Sequence, residues 1–373
     1  MPIIIAALLC VLVYFGQRRF FLRHWADKLS VSLHFKEQGV SQGELCTLQE
    51  VIENKKKMPL PALQVKFKTT KSFVFQDDKN GAATDYYYRN DMFCVGGRQR
   101  ILRSLPVCPQ TRGYFTIDEI QMSARDYFFS EKYARKFSNE TELYVYPRKL
   151  DFLPFQQQYQ QIMGELEAKS RLIEDPFCFR GIRPYQPYDT MHQINWKSSA
   201  RNGDLLVNTY DTSYSQEVCM ILNVKSHAVF KKSEVEEFSI AIISTLAAQF
   251  LRAGIPVSVY TNGRDIETEQ FIRIGKGAGE QHLLTIDRNL ARLDLKKEPG
   301  SYLELVKREC SGKNPLVQYI LVSSEHSRDW TEYFIKLQEE IPDICQIVPE
   351  AKNETWDLLD GMVGWEVEEF DGY

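Results

Sequence analysis

The hydrophobic period of this chain changes once, near its middle, and that change decides what it can fold into. From Leu29 to Pro147 apolar residues alternate with polar ones, as in VSLHF (31–35), LQVKFK (63–68) and TELYVYP (141–147). Period two with β-branched and aromatic residues marks strands with one buried face. Many such strands at near-regular spacing predict an antiparallel β-sandwich, assigned to residues 29–150. After Ser215 short apolar runs take over: EVCMILNV (217–224), IPVSVYTN (255–262), FIRI (271–274), VQYILVSS (317–324) and ICQIVPE (344–350). Between them lie helical patterns at 233–254, 277–295, 301–310 and 327–340, the first closed by Gly254. Strand and helix in alternation predict a second domain, residues 213–350, with a mostly parallel sheet covered on both faces. The fold class expected is therefore α+β and multidomain.

Residues 1–25 form a third segment. Pro2–Phe15 is an uncharged apolar run, followed by Arg18, Arg19 and Arg23. A membrane span needs about 20 residues. Continuing through Phe20, Phe21 and Leu22 supplies that length and brings the arginines and Trp25 to an interface. A cleaved signal peptide wants positive charge before the run and a small-residue cleavage site after it. The expectation is an uncleaved, single-pass anchor, with the arginines holding the body on the cytoplasmic side. A net charge of −4 gives no reason to expect nucleic acid. Eight scattered cysteines without a C-x-x-C pair suggest reduced thiols rather than a zinc or disulfide framework.

Residues 151–212 read as a linker containing one unusual stretch, Phe179–Val207, FRGIRPYQPYDTMHQINWKSSARNGDLLV. Two prolines three apart, Pro184 and Pro187, favour an extended, turn-rich path. Thr190–Ala200 fits a short helix, and Leu205–Val207 a strand after the Asn202-Gly203-Asp204 turn. The candidate site residues are Arg180, Arg183, Tyr185, Asp189, Trp196, Lys197 and Arg201. Two readings stand. One is a docking site, with a guanidinium fork opposite Asp189 and Trp196 as an anchoring surface. The other is a structural clasp, in which Arg–Asp pairs and a buried Trp lock domains together. His192 is the one histidine beside a carboxylate and Trp, so a hydrolase centred on Asp189 and His192 is a third, weaker candidate.

The same stretch resembles the signature of the bacterial family called domain of unknown function 58, which runs approximately R-G-x-R-x-Y-x-x-G-D, then I-D-W-K, then A-R. Arg180, Gly181, Arg183, Tyr185, Asp189, Ile194, Trp196, Lys197, Ala200 and Arg201 match. Tyr188 stands where Gly is usual and Asn195 where Asp is usual. Arg112-Gly113-Tyr114 and Val145-Tyr146-Pro147 match further family motifs, extending the resemblance over nearly the whole chain. It implies a von Willebrand factor A-like C-terminal domain and a MoxR-type AAA+ ATPase as partner.

Domains of the A type often hold Mg²⁺ through a D-x-S-x-S loop after the first strand. The corresponding positions here include Asn223, Lys225 and Ser226, where an amide replaces the leading carboxylate and a lysine replaces a serine. Such a site is degenerate for a hard cation, which wants oxygen ligands, and neither a metal nor another cofactor is expected. Gly275–Gly279 lacks P-loop spacing and reads as a turn opening a helix. Residues 351–373 read as an acidic, solvated tail around Trp356 and Trp365. The functional expectation is a membrane-anchored, non-enzymatic adaptor or scaffold. The alternative is a cation-dependent adhesion or ligand-binding module.

Overall fold

A computed structural model describes residues 2–76, 81–83, 86–172, 179–210, 217–225, 232–312, 317–350 and 359–366. The chain divides into two compact units, Met1–Arg148 and Lys149–Asp371.

The first unit carries helix α1 (Pro2–His24) and twelve strands: β1 (Leu29–Phe35), β2 (Gly39–Ser41), β3 (Cys46–Asn54), β4 (Leu60–Thr69), β5 (Phe73–Phe75), β6 (Gly81–Ala83), β7 (Tyr87–Val95), β8 (Gln99–Pro109), β9 (Gly113–Thr116), β10 (Glu119–Arg125), β11 (Lys132–Ser138) and β12 (Glu142–Tyr146). One sheet has the order β1-β3-β8-β5, the second β11-β10-β4-β7-β6, and a small third β2-β12-β9. All pairings are antiparallel except β2 with β12. The alternation in sequence is the alternation in burial: along β1, Leu29, Val31, Leu33 and Phe35 are buried and the residues between them exposed. These four join Leu48, Ile52, Leu63, Val65 and Ile120 in one apolar core. Tyr87 enters that core while Tyr86 and Tyr88 stay outside.

Helix α1 is long and apolar enough to cross a membrane, and its residues from Ile3 to Val13 are exposed. Its C-terminal end differs from expectation. Phe21 is fully buried and Trp25 is 5% exposed within the sandwich core, so Trp25 packs the body instead of lying in an interfacial belt.

The second unit holds α2 (Gln156–Leu172), β13 (Phe179–Pro184), α3 (Trp196–Asn202), β14 (Leu206–Tyr210), β15 (Glu217–Leu222), α4 (Lys232–Arg252), β16 (Val257–Asp265), β17 (Phe271–Gly277), α5 (Glu280–Ala291), β18 (Leu293–Asp294), α6 (Tyr302–Cys310), β19 (Val317–Val322), α7 (Arg328–Glu340), β20 (Cys345–Glu350) and β21 (Met362–Glu366). The main sheet has the order β17-β16-β15-β19-β20-β21, with β18 beside β16. It is mixed. The pairs β15–β16, β15–β19, β19–β20 and β20–β21 are parallel, whereas β16 pairs antiparallel with both β17 and β18. The gap between Asp265 and Phe271 is too short for a crossover, which needs a dozen or more residues, so FIRI returns as a hairpin.

Both faces of this sheet are covered. Helix α4 is buried almost all round and packs with α5 on one side; Tyr302 of α6 and Trp330 and Phe334 of α7 fill the other. The core also draws on segments read as linker and tail. Leu150, Phe155 and Ile162 belong to it, as does Trp365, so residues 362–366 are a paired strand and not a solvated tail. Trp356 lies outside the described residues. Lys149 adds a polar tie: its Nζ donates to both Asp287 oxygens at 3.0 Å, and Ser244 Oγ donates to Asp287 Oδ1 at 2.6 Å.

Candidate functional site

The signature stretch folds into a small platform. Strands β13 and β14 pair antiparallel, Ile182 opposite Asn208 and Arg183 opposite Val207. The loop between them is pinned by one ion pair. Arg183 Nη1 donates to Asp189 Oδ2 at 2.7 Å and Nη2 to Oδ1 at 2.6 Å, a bidentate fork, and the Gln186 N–H donates to Oδ2 at 2.8 Å. The hydrogen bonds from Arg183, with those from Gln186, hold the Asp189 carboxyl below the usual carboxylate range. The Arg183 guanidinium also lies 5.8 Å from the Tyr188 ring centroid. Tyr188 is not among the residues with positive φ, so the loop needs no glycine there.

The helix expected over 190–200 is broken in two. Met191–Gln193 form a 3₁₀ turn, Ile194 is extended and buried, and α3 begins at Trp196. Asn195 makes this break. Its Oδ1 caps α3 by accepting from the Ser198 N–H at 3.0 Å, and its backbone N–H donates to Leu206 O at 2.8 Å. Its Nδ2 donates to Asn208 Oδ1 at 2.8 Å, a bond for which an aspartate at this position would have no proton to donate. Asn195→Ala removes both side-chain bonds and is expected to cost about 1 kcal/mol for the cap, read by urea denaturation. Asn195→Asp keeps the cap and is expected to be milder, because Asn208 can turn its amide to donate.

The buried tryptophan of the clasp reading is overturned. Trp196 is 61% exposed, and Tyr188 and Met191 are more exposed still. Lys197 and Arg201 are exposed on α3, Arg180 on β13, and Tyr185 is half-buried. The platform therefore joins Arg183, Asp189 and Tyr188 in one contact and displays Trp196 beside them in sequence. His192 is exposed on the 3₁₀ turn, and no hydrogen bond joins it to Asp189 among the described residues. With both Asp189 oxygens engaged by Arg183, an acid–base pair with His192 has no geometry to support it.

The strand-end position proposed for a degenerate metal loop forms an amide ladder. Asn223 Nδ2 donates to Ser323 Oγ at 3.0 Å, and Asn223 Oδ1 accepts from Asn262 Nδ2 at 2.9 Å and the Lys225 N–H at 3.1 Å. Asn262 Oδ1 accepts from the Val224 N–H at 2.9 Å. These bonds stitch the ends of β15, β16 and β19 beneath a cleft of about 670 Å³ that Lys232, Lys297 and Glu325 also line. Asn223 supplies no anionic oxygen, and its Oδ1 already accepts two N–H groups. Those residues do not fit a hard dication. Ser226 lies outside the described residues, as does the rest of that loop to residue 231. The glycine-rich run expected as a turn is in part strand: Gly275–Gly277 end β17, and Lys276 there is 3.1 Å from Glu217.

A feature that sequence reading missed lies in the first unit. Arg89 Nε donates to Asp91 Oδ2 at 2.7 Å and Arg103 Nη1 lies 2.8 Å from Asp91 Oδ1, all beside Glu50 in the sandwich interior. Burial, with Asp91 adding to it, pushes the Glu50 carboxyl up to about 7. Alternation hides such a cluster, because charged residues at inward positions read as strand edges. A surface groove of about 840 Å³ in the same unit is lined by Arg89 but not by Glu50, Asp91 or Arg103, and in it Lys68 Nζ sits 3.2 Å from the Tyr86 ring centroid.

Residues 181–314 match the family described as Protein of unknown function DUF58. The match takes in the platform and the α/β sheet as far as α6, and it supports the resemblance carried by the motifs. Arg112–Tyr114 and Val145–Pro147 fall outside it. No curated protein matches. Among solved structures, the chain is similar to a non-cellulosomal cohesin from Archaeoglobus fulgidus, with 10% identity, a TM-score of 0.23, and 31% of this chain and 91% of that one covered. A CARDB domain from Pyrococcus furiosus gives 12% identity and a TM-score of 0.19 over 31% of this chain and 90% of that one. A PapD-like domain of human CEP192 gives 10% and 0.20 over 32% and 86%. Likeness at that level carries no functional inference.

Proposed function

We propose that the chain is a membrane-anchored, non-enzymatic adaptor or scaffold whose docking surface is the platform formed by β13, β14 and α3. The observation that carries this reading is the exposure of Trp196 on a rigidly pinned support. Burying a large aromatic stabilises a fold, so a tryptophan left 61% exposed, in a segment where Tyr188 and Met191 are exposed too, is poorly explained by stability alone. The bidentate Arg183–Asp189 fork and the Asn195 cap hold the backbone around it, which lowers the entropy lost on docking.

The α/β unit, with its order β17-β16-β15-β19-β20-β21 and antiparallel edge, supports reading it as von Willebrand factor A-like. The partner class, a MoxR-type AAA+ ATPase, follows from the family resemblance. Helix α1 would cross the bilayer once, with Arg18, Arg19 and Arg23 favouring a cytoplasmic body.

Affinity purification of the full-length chain from its native membranes, with and without ATP, tests the reading. Recovery of an AAA+ ATPase is expected, and Trp196→Ala should then weaken the purified pair by about 2 kcal/mol, roughly 30-fold in Kd, while leaving thermal stability unchanged. Arg183→Ala should weaken it through loss of the fork. Normal binding by both folded variants would remove the platform as the docking surface. A chain that comes down alone in both conditions would remove the adaptor.

A further inference from the structure

The turn between β10 and β11 presents three consecutive aromatic residues, Tyr127, Phe128 and Phe129, all exposed. Their support is rigid. Asp126 is fully buried; its Oδ1 accepts from the Ser130 N–H at 2.7 Å and the Glu131 N–H at 3.3 Å, and its carbonyl accepts from the Phe129 N–H at 3.0 Å. Phe129 itself sits at φ 56°, a left-handed conformation that glycine or asparagine would adopt far more readily. A bulky phenylalanine held there costs about 1–2 kcal/mol. Local stability would select against it, and the ring is turned outward where it gains nothing from the sandwich core.

This turn lies along α1. The Tyr14 and Phe128 ring centroids are 6.0 Å apart, Phe21 meets Tyr127 edge-on at 5.5 Å and Tyr133 at 5.9 Å, Gln17 Nε2 donates to Asp126 Oδ2 at 2.9 Å, and Arg18 pairs with Glu131. Positions 14, 17, 18 and 21 form one face of the helix. The apolar span is Ile3–His24, and Tyr14 falls in its middle. The part beyond the turn, residues 3–13, rises only about 16 Å at 1.5 Å per residue. A hydrocarbon core is about 30 Å thick. If Ile3–His24 crosses the bilayer, the level of Tyr14 is inside it, and the aromatic turn packed against Tyr14 is carried in as well.

We infer that the Tyr127–Phe129 turn is a second membrane contact, an aromatic wedge that enters the bilayer beside α1 and fixes the sandwich against it. The inference rests on the reading of α1 as a membrane span. Of the polar groups at that depth, Asp126 is bonded and Glu131 is paired with Arg18, while Gln17 Oε1 is buried without a hydrogen-bond partner among the described residues. Exposed Arg125 and Lys132 flank the turn; Lys132 Nζ donates to Gln64 Oε1, and the long stem of Arg125 lets its charge reach lipid headgroups.

The test uses the full-length chain in nanodiscs of phosphatidylethanolamine and phosphatidylglycerol, with p-benzoylphenylalanine placed singly at Leu9, Phe128 or Leu102. Leu9 is an exposed residue of α1, and Leu102 is an exposed apolar residue on β8. After illumination, intact-mass analysis should find lipid adducts at positions 9 and 128 and none at 102. Adducts at 9 without adducts at 128 overturn the wedge while leaving the span in place. No adduct at 9 overturns the span and the wedge with it. In native membranes, crosslinks from 128 to a protein instead of lipid would also overturn the lipid assignment. Phe129→Gly gives a second readout: it should raise thermal stability by relieving the left-handed strain and still leave position 128 with fewer lipid adducts. A gain in stability with adducts undiminished counts against a role for the Phe129 ring.

Discussion

Trp365→Ala is expected to destabilise the α/β unit by about 3–5 kcal/mol, the range for truncating a large aromatic in a packed core. Trp365 is 4% exposed and stacks on Phe155 with centroids 5.0 Å apart and planes 3° from parallel, while Phe238 meets it edge-on at 6.1 Å. These three rings tie β21, the 3₁₀ turn before α2, and α4 into one core. A tail that merely lay in solvent would lose nothing on truncation. Trp365→Phe should cost less than half as much, because the indole Nε1 has no hydrogen-bond partner among the described residues and an unsatisfied buried donor already costs about 1–3 kcal/mol. Guanidinium unfolding followed by far-ultraviolet circular dichroism measures both. The two units need not unfold together, so the transition to watch is the one that shifts. An alanine variant indistinguishable from the parent would mean that residues 362–366 do not belong to the sheet in solution.

How much of this was legible depends on how each element announces itself. The alternation of β1, β3 and β4 is visible because one face of each is apolar and the other polar. Strand β11, KYARKFS, was not visible, since its residues are exposed or half-buried and it has no apolar rhythm. Helix α4 and the runs of β15, β16 and β19 were visible because burial on all sides demands long apolar stretches. The direction of β17 was legible in principle, from the short gap after Asp265. Strand β21 was hidden by the acidic residues around Met362–Trp365, which made a core strand resemble a solvated end. In the platform, an arginine fork opposite Asp189 was readable, but not which of Arg180, Arg183 and Arg201 supplies it; the structure gives Arg183. Spacing did not decide between a Trp196 buried in a clasp and one displayed as an anchor; the structure leaves it 61% exposed.

The same limit explains Glu50, which carries the second large expected effect. Glu50 is 1% exposed, neither of its oxygens has a hydrogen-bond partner among the described residues, and burial with help from Asp91 raises its pKa from 4.5 to about 7 against the opposing pull of Arg103 and Arg89. A carboxyl raised in the folded state favours folding when protonated. Its contribution is therefore fully present below about 4.5 and is lost as pH rises through about 7. That shift corresponds to about 3 kcal/mol across the window. Replacing the carboxyl by an amide removes the titration and leaves the shape, so the difference in stability between Glu50→Gln and the parent should widen by about 3 kcal/mol in favour of the variant between pH 4.5 and pH 8. Urea denaturation of both proteins at several pH values gives that difference directly, with all other titrating groups held in common. A difference that stays flat across the window would mean that the carboxylate is solvated or paired in solution and that the sandwich interior is not closed around it. A difference of the opposite sign would mean that Arg103 and Arg89 outweigh burial and that Glu50 completes a balanced ionic cluster. The expected sign instead makes Glu50 a standing cost to the sandwich at neutral pH, tolerated beside Arg89, Asp91 and Arg103 at the centre of its two sheets.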